Sequence, residues 1–156
     1  KKIWKSVEEN IIEAMQKIVG LNFYQNLIDV YTVYGWKSAF SDPLVLSTKY
    51  EGEDFIDVLT HEILHRLLTD NLQNKNGSIW AEKNYPNIED KKAINHILLH
   101  AVHKEIYLEV LKRPDRLEKD IEKSLKWPSY KMAWDIVEKD GHKNIIDGFK
   151  ESNYIQ

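Results

Sequence analysis

Thr60-His61-Glu62-Ile63-Leu64-His65 is the stretch from which the rest of the chain is read. Around it, Phe55, Ile56, Leu59, Ile63, Leu64 and Leu67 recur at the spacing of one broad helical arc, so residues 53–69 read as an amphipathic helix. Asp54, Val58, His61 and His65 form a stripe away from most of that arc, with Glu62 beside it. Two imidazoles four residues apart lie one above the other on a helix face. Neutral imidazole nitrogens are good zinc ligands. Zinc lowers the pKa of water from about 16 to about 7, and a neighbouring glutamate can accept the proton. Two incidental histidines on a surface helix would give the same pattern. The helical context, the position off the apolar arc and a second histidine stripe downstream favour a metal site.

That second stripe lies in residues 89–111, which read as a long central helix with apolar residues on most sides. His96, His100, His103 and Tyr107 follow one another at i, i+4, i+7 and i+11 and share one narrow face. Five of the chain's six histidines therefore sit on two stripes. A catalytic zinc takes three protein ligands and keeps one position open. His61 and His65 supply two; His96 is the expected third, with His100 the alternative and His103 one turn further on. Glu105 falls on the opposite helix face, and Glu82 lies in the intervening loop. Asp57, four residues before His61, is either a supporting acid or an exposed one. Asn95, His100, His103 and Tyr107 are expected to support the ligands or to donate to an oxyanion, with Tyr85 and His142 further donors to consider. Singly, each such residue is more often structural.

Working outward, residues 6–18 read as a packing helix, with Ser6 and Glu9 as a capping box and Gly20 as the stop. Residues 28–35 and 44–50 read as strands, the second an edge beside the cleft to which an extended peptide could pair. Residues 70–89 read as a long polar loop bordering the cleft. Helices are expected over 115–126, over 130–139 with Ser129 as a cap, and over 142–151 after Gly141. These C-terminal helices read as core packing or as a wall of the cleft. The expected architecture is α+β and mostly helical. It divides a single domain into an N-terminal helix and sheet (1–52), metal-binding helices (53–111) and C-terminal helices (112–156).

The 156 residues, 42% of them apolar, suffice for one core without staples. With no cysteine, a metal must rest on histidine and carboxylate. A net charge of −3 gives no reason to expect nucleic-acid binding, and no apolar run approaches a membrane span. Lys1-Lys2-Ile3-Trp4 begins no signal-peptide pattern, so a cytoplasmic location is the expectation.

His61-Glu62-x-x-His65 followed by a second ligand-bearing helix resembles the gluzincin branch of the zincin metallopeptidases, the thermolysin-like group. The chain's length is similar to that of the minimal archaeal members, the minigluzincins. In that family the second helix carries Asn-Glu-x-x-x-Asp, with the Glu on zinc and the Asp supporting a ligand histidine. Asn95-His96-Ile97-Leu98-Leu99-His100 aligns with it. The resemblance implies His96 at the third-ligand position and His100 at the supporting-acid position, both departures from the family's carboxylates. Strand 44–50 would correspond to the family's edge strand that aligns the substrate. Metzincins fit less well, because Leu67-Leu68 stands where their motif continues.

The expectation is a one-zinc metallohydrolase, most simply a peptidase acting on a peptide or protein, with Glu62 as the general base. The alternative is a latent or catalytically inactive metal-stabilised binding domain whose fourth position is closed by His100 or His103. A helical interaction domain without metal is the third reading. Neither substrate specificity nor oligomeric state is legible in the sequence.

Overall fold

The computed structural model describes residues 2–71 and 77–154. A single turn, α1 (Lys2–Lys5), precedes α2 (Glu8–Val19), whose Ile11, Met15 and Val19 are buried. Gly20, left-handed at φ 70°, closes α2 as the sequence suggests. Ser6 does not cap it. Its hydroxyl donates to the carbonyl of Ile3, 2.8 Å away, because α1 ends there and offers a free acceptor. Val7 holds the N-cap position without a side-chain bond.

Three short strands follow: β1 (Tyr31–Val33), β2 (Phe40–Ser41) and β3 (Leu44–Ser47). Their order is β1-β3-β2. β3 pairs in parallel with β1, Thr32 opposite Leu46, and antiparallel with β2, Ser41 opposite Leu44. The segment 44–50, expected at an edge, is instead the central strand, and only 44–47 of it is extended. Leu44, Leu46 and Ser47 are buried, so apolar content here reflects a two-sided neighbourhood rather than an edge.

The histidine motif lies on α3 (Gly52–Asp70), close to the expected bounds. Ile56, Leu59, Ile63, Leu64 and Leu67 bury its apolar arc. The buried Arg66 ties it to the β2–β3 turn through Asp42 at 2.6 Å and to Gln25 at 3.1 Å. The segment read as loop 70–89 contains a helix, α4 (Gly77–Asn84); residues 74–76 of its turn signal lie outside the described residues. Trp80 and Ala81 are buried, and the Trp80 indole donates to Gly148 O at 3.2 Å. Two apolar anchors therefore convert a polar stretch into a packed element.

α5 (Lys91–Glu105) runs through the middle of the molecule, buried on nearly every side from Ala93 to His103. Asp90 caps it, accepting from Lys92 N and Ala93 N. The helix continues as a π-helical turn, Ile106–Val110, before Lys112 reverses the chain at φ 53°. Then come α6 (Pro114–Ser124), α7 (Pro128–Asp140) and α8 (His142–Tyr154). Ser129 sits inside α7, and its hydroxyl donates to Asp90 Oδ2 at 2.7 Å rather than capping its own helix. α7 and α8 cover α5, with Ala133, Trp134, Val137, Ile145 and Phe149 buried in the common core. The fold is thus mainly helical α+β with one small mixed sheet. Among the described residues, no helix is long and apolar enough to cross a membrane.

Candidate metal centre

The α3 register fixes the first half of the site. With Ile63 and Leu64 buried, His61, Glu62 and His65 are left half-buried on the side turned towards α5. The 3.6-residue period of α5 does the rest, since the same face that carries His96 also carries His100 and His103. The two stripes meet. His61 is the hub: its ring centroid lies 4.9 Å from His65, 5.5 Å from His96, 5.8 Å from His103 and 6.3 Å from His100.

One nitrogen each from His61, His65 and His96 falls within 4.8 Å of the others, a set that could hold a metal ion. His96 is oriented for it. Its Nδ1 lies 2.7 Å from the Lys92 carbonyl, to which an N–H there donates, leaving Nε2 with a free lone pair. That Nε2 is buried and has no hydrogen-bond partner among the described residues. Burial holds His65 down at about 3 and His96 at about 4, and it lowers His61 too, with the neighbouring imidazoles adding to the effect. All three rings are therefore neutral at pH 7, the state that ligates a metal. Three neutral nitrogens around one orphaned lone pair fit a borderline-soft divalent cation such as zinc.

Glu62 adjoins this set. Burial raises its carboxyl to about 7, where it can both take and return a proton. The other residues that the sequence puts forward fall into distinct places. His100 is buried and lies flat on Trp134, ring centroids 4.3 Å apart at 13°, with Nδ1 unpartnered. His103 is buried with neither nitrogen hydrogen-bonded, and Tyr107 packs beside it at 4.7 Å. Asn95 is exposed. Asp57 faces Arg116, not His61. Tyr85 donates to Asp140, Glu82 pairs with Lys91, and His142 with Glu105. These three residues are engaged in contacts of their own and are not part of the three-histidine set.

Two residues of the site have no signal in the sequence. Tyr130, on α7, stands 4.4 Å from His96 and 5.8 Å from His100, ring to ring. Burial raises its phenol pKa, and the field of Glu62 adds to the rise. Lys92 sits over the ring at 5.5 Å. The bond from Ser129 to Asp90 pins this end of α7 to the start of α5 and so places the phenol. Asp120, on α6, reaches the back of the cluster with Oδ2 3.7 Å from His103 Nδ1. Both depend on how α6 and α7 dock, which no local pattern encodes. Comparison of the chain with protein-family models, curated proteins and solved structures finds no match.

Proposed function

We propose that this protein is a zinc-dependent hydrolase of the peptidase type. The observation behind the reading is the convergence of His61, His65 and His96 from two helices; Glu62, next to His61 on its helix, is half-buried, and burial raises its carboxyl to about 7. A bound zinc would supply Lewis acidity, polarising a carbonyl and acidifying a water. Glu62 would accept the proton of that water and hand it to the departing amine. Tyr130, beside His96 and within the field of Glu62, is placed to donate to the oxygen of a reacting carbonyl. The substrate class that suits this chemistry is a peptide or protein. The gluzincin resemblance of the motif agrees with the reading and adds the expectation of one zinc ion.

A second reading rests on the other two histidines. His100 and His103 stand near His61 with nitrogens that have no partner among the described residues, so either could close a four-nitrogen site. That site would stabilise a binding or latent domain rather than cut.

The test is metal content and cleavage together. Wild type purified from zinc-replete medium without chelator should hold about one zinc per chain. Glu62→Gln should keep the metal and lose cleavage of a peptide library read by mass spectrometry; His61→Ala should lose both. Wild type without metal sinks the proposal. Stoichiometric zinc with no cleavage by wild type selects the second reading.

A further inference from the structure

Behind the three-histidine set lies a second group of buried polar atoms that the proposed chemistry does not use. His103 is 1% exposed, and neither ring nitrogen has a hydrogen-bond partner among the described residues. The Arg116 Nε is likewise buried and without a partner among the described residues, and the buried Tyr107 hydroxyl has only the Asp57 carboxyl to turn to. Leaving such groups unsatisfied costs roughly 1–3 kcal/mol each, so a concentration of them in one place calls for a role. Two carboxylates stand among them: Asp57, which pairs with Arg116, and Asp120, which faces His103. Asp120 comes from α6, its Oδ2 3.7 Å from His103 Nδ1, and it also lines a small polar cavity of about 70 Å³ with Asp54, Asp57, Arg116 and Lys123.

On its other side, His103 meets His61, ring centroids 5.8 Å apart at 65°. The His61 ring makes no hydrogen bond among the described residues, in contrast to His96 with its Lys92 carbonyl. A ligating imidazole needs its second nitrogen held, because that bond fixes both tautomer and ring plane. His100 does not do this for His61, since it is flat against Trp134 and is the most distant ring of the four.

We infer that Asp120 and His103 form a two-step support that orients His61 as a ligand: the Asp120 carboxylate accepts from His103 Nδ1–H, and His103 Nε2 accepts from the His61 ring N–H. The inference rests on the metal reading given above. Asp120 and His103 are positioning residues; neither touches the metal or a substrate. The support is built across three elements, α6, α5 and α3, so the affinity of the centre depends on how α6 is docked. Arg116, which pairs with Asp57 and stands over the Tyr107 ring at 5.7 Å, keeps that docking in place.

Zinc affinity, measured on the whole chain by competition with a chromophoric chelator, tests this. The melting temperature of each metal-free variant shows that it folds. Asp120→Asn and His103→Phe should each weaken zinc binding by about 10- to 100-fold. The double variant should bind little worse than either single one, because the two act in series. Asp54→Asn removes the same charge from the same cavity without touching the chain of contacts, and it should bind like wild type. If Asp120→Asn does not fold, His103→Phe, which keeps a flat ring but no ring nitrogen, supplies the same measurement. Wild-type affinity in the folded variants, or an equal loss in Asp54→Asn, overturns the inference while leaving the metal reading intact. Wild type that takes up no zinc at all overturns both.

Discussion

His96 Nδ1 lies 2.7 Å from the carbonyl oxygen of Lys92, one turn earlier on the same helix. This short contact settles which nitrogen of His96 is free. It also separates His96 from His100, whose ring is stacked on Trp134. His96→Ala should lower zinc affinity by more than about 100-fold, beyond the loss from a supporting residue. His100→Phe should retain the metal. Equilibrium dialysis against buffered zinc reads both, and the reverse order would make His100 the third ligand.

Metal-free protein should gain stability as pH rises from about 4.5 to 6.5. Burial holds His65 at about 3, His96 at about 4 and His103 at about 3, against 6.5 for a free imidazole, and lowers His61 and His100 as well. In that window the unfolded chain binds their protons and the folded chain does not. Their contribution is complete above 6.5 and is lost as pH falls. Glu62, raised to about 7, Asp120, raised to about 6, and Asp57, which burial also raises, act in the opposite sense, with stability present at low pH and lost as pH rises through their folded values. The charges of Lys92 and Arg116 face the cluster and add to the lowering of His96 and His103. Five imidazoles outweigh three carboxyls. Urea midpoints between pH 4.5 and 7 check the sign; a flat or falling profile would contradict it.

Arg116 and Asp57 form a largely buried ion pair between α6 and α3, with side chains 6% and 13% exposed. Removing one partner leaves the other charge without compensation. Arg116→Met should cost about 3 kcal/mol. Adding Asp57→Asn should return part of that loss, because the stranded carboxylate goes with it. Denaturant titration of the two variants gives the comparison, and a double variant less stable than Arg116→Met would show that the pair is not the source.

Asp90 serves two helices at once. It accepts from Lys92 N at 2.9 Å and Ala93 N at 3.1 Å, and from the Ser129 hydroxyl at 2.7 Å. Asp90→Ala removes the cap and the tie to α7 together, so it should lower the melting temperature more than Ser129→Ala does. Ser129→Ala should instead loosen Tyr130 beside His96, visible as a change in tyrosine fluorescence. Equal melting temperatures for the two variants would contradict the double role.

Sequence periodicity is enough to place α3 within a residue of its ends and to set His61 and His65 on one face, because helical phase is a local property. It also puts His96, His100 and His103 on one stripe, and the α+β class follows from the same patterns. Local chemistry misleads where a nearby partner competes. Ser6 and Ser129 look like caps but donate to Ile3 and Asp90. Strand 44–50 looks like an edge but is flanked on both sides. Residues 77–84 look like loop, yet Trp80 and Ala81 anchor them as helix. What only the tertiary structure decided is which nitrogens converge and what stands behind them. His96 rather than His100 joins the motif pair, Tyr130 packs beside it, and Asp120 reaches His103 from α6. Those relations depend on the docking of helices distant in sequence. Docking is governed by the fit of whole side-chain surfaces, and no single stretch of the chain carries that information.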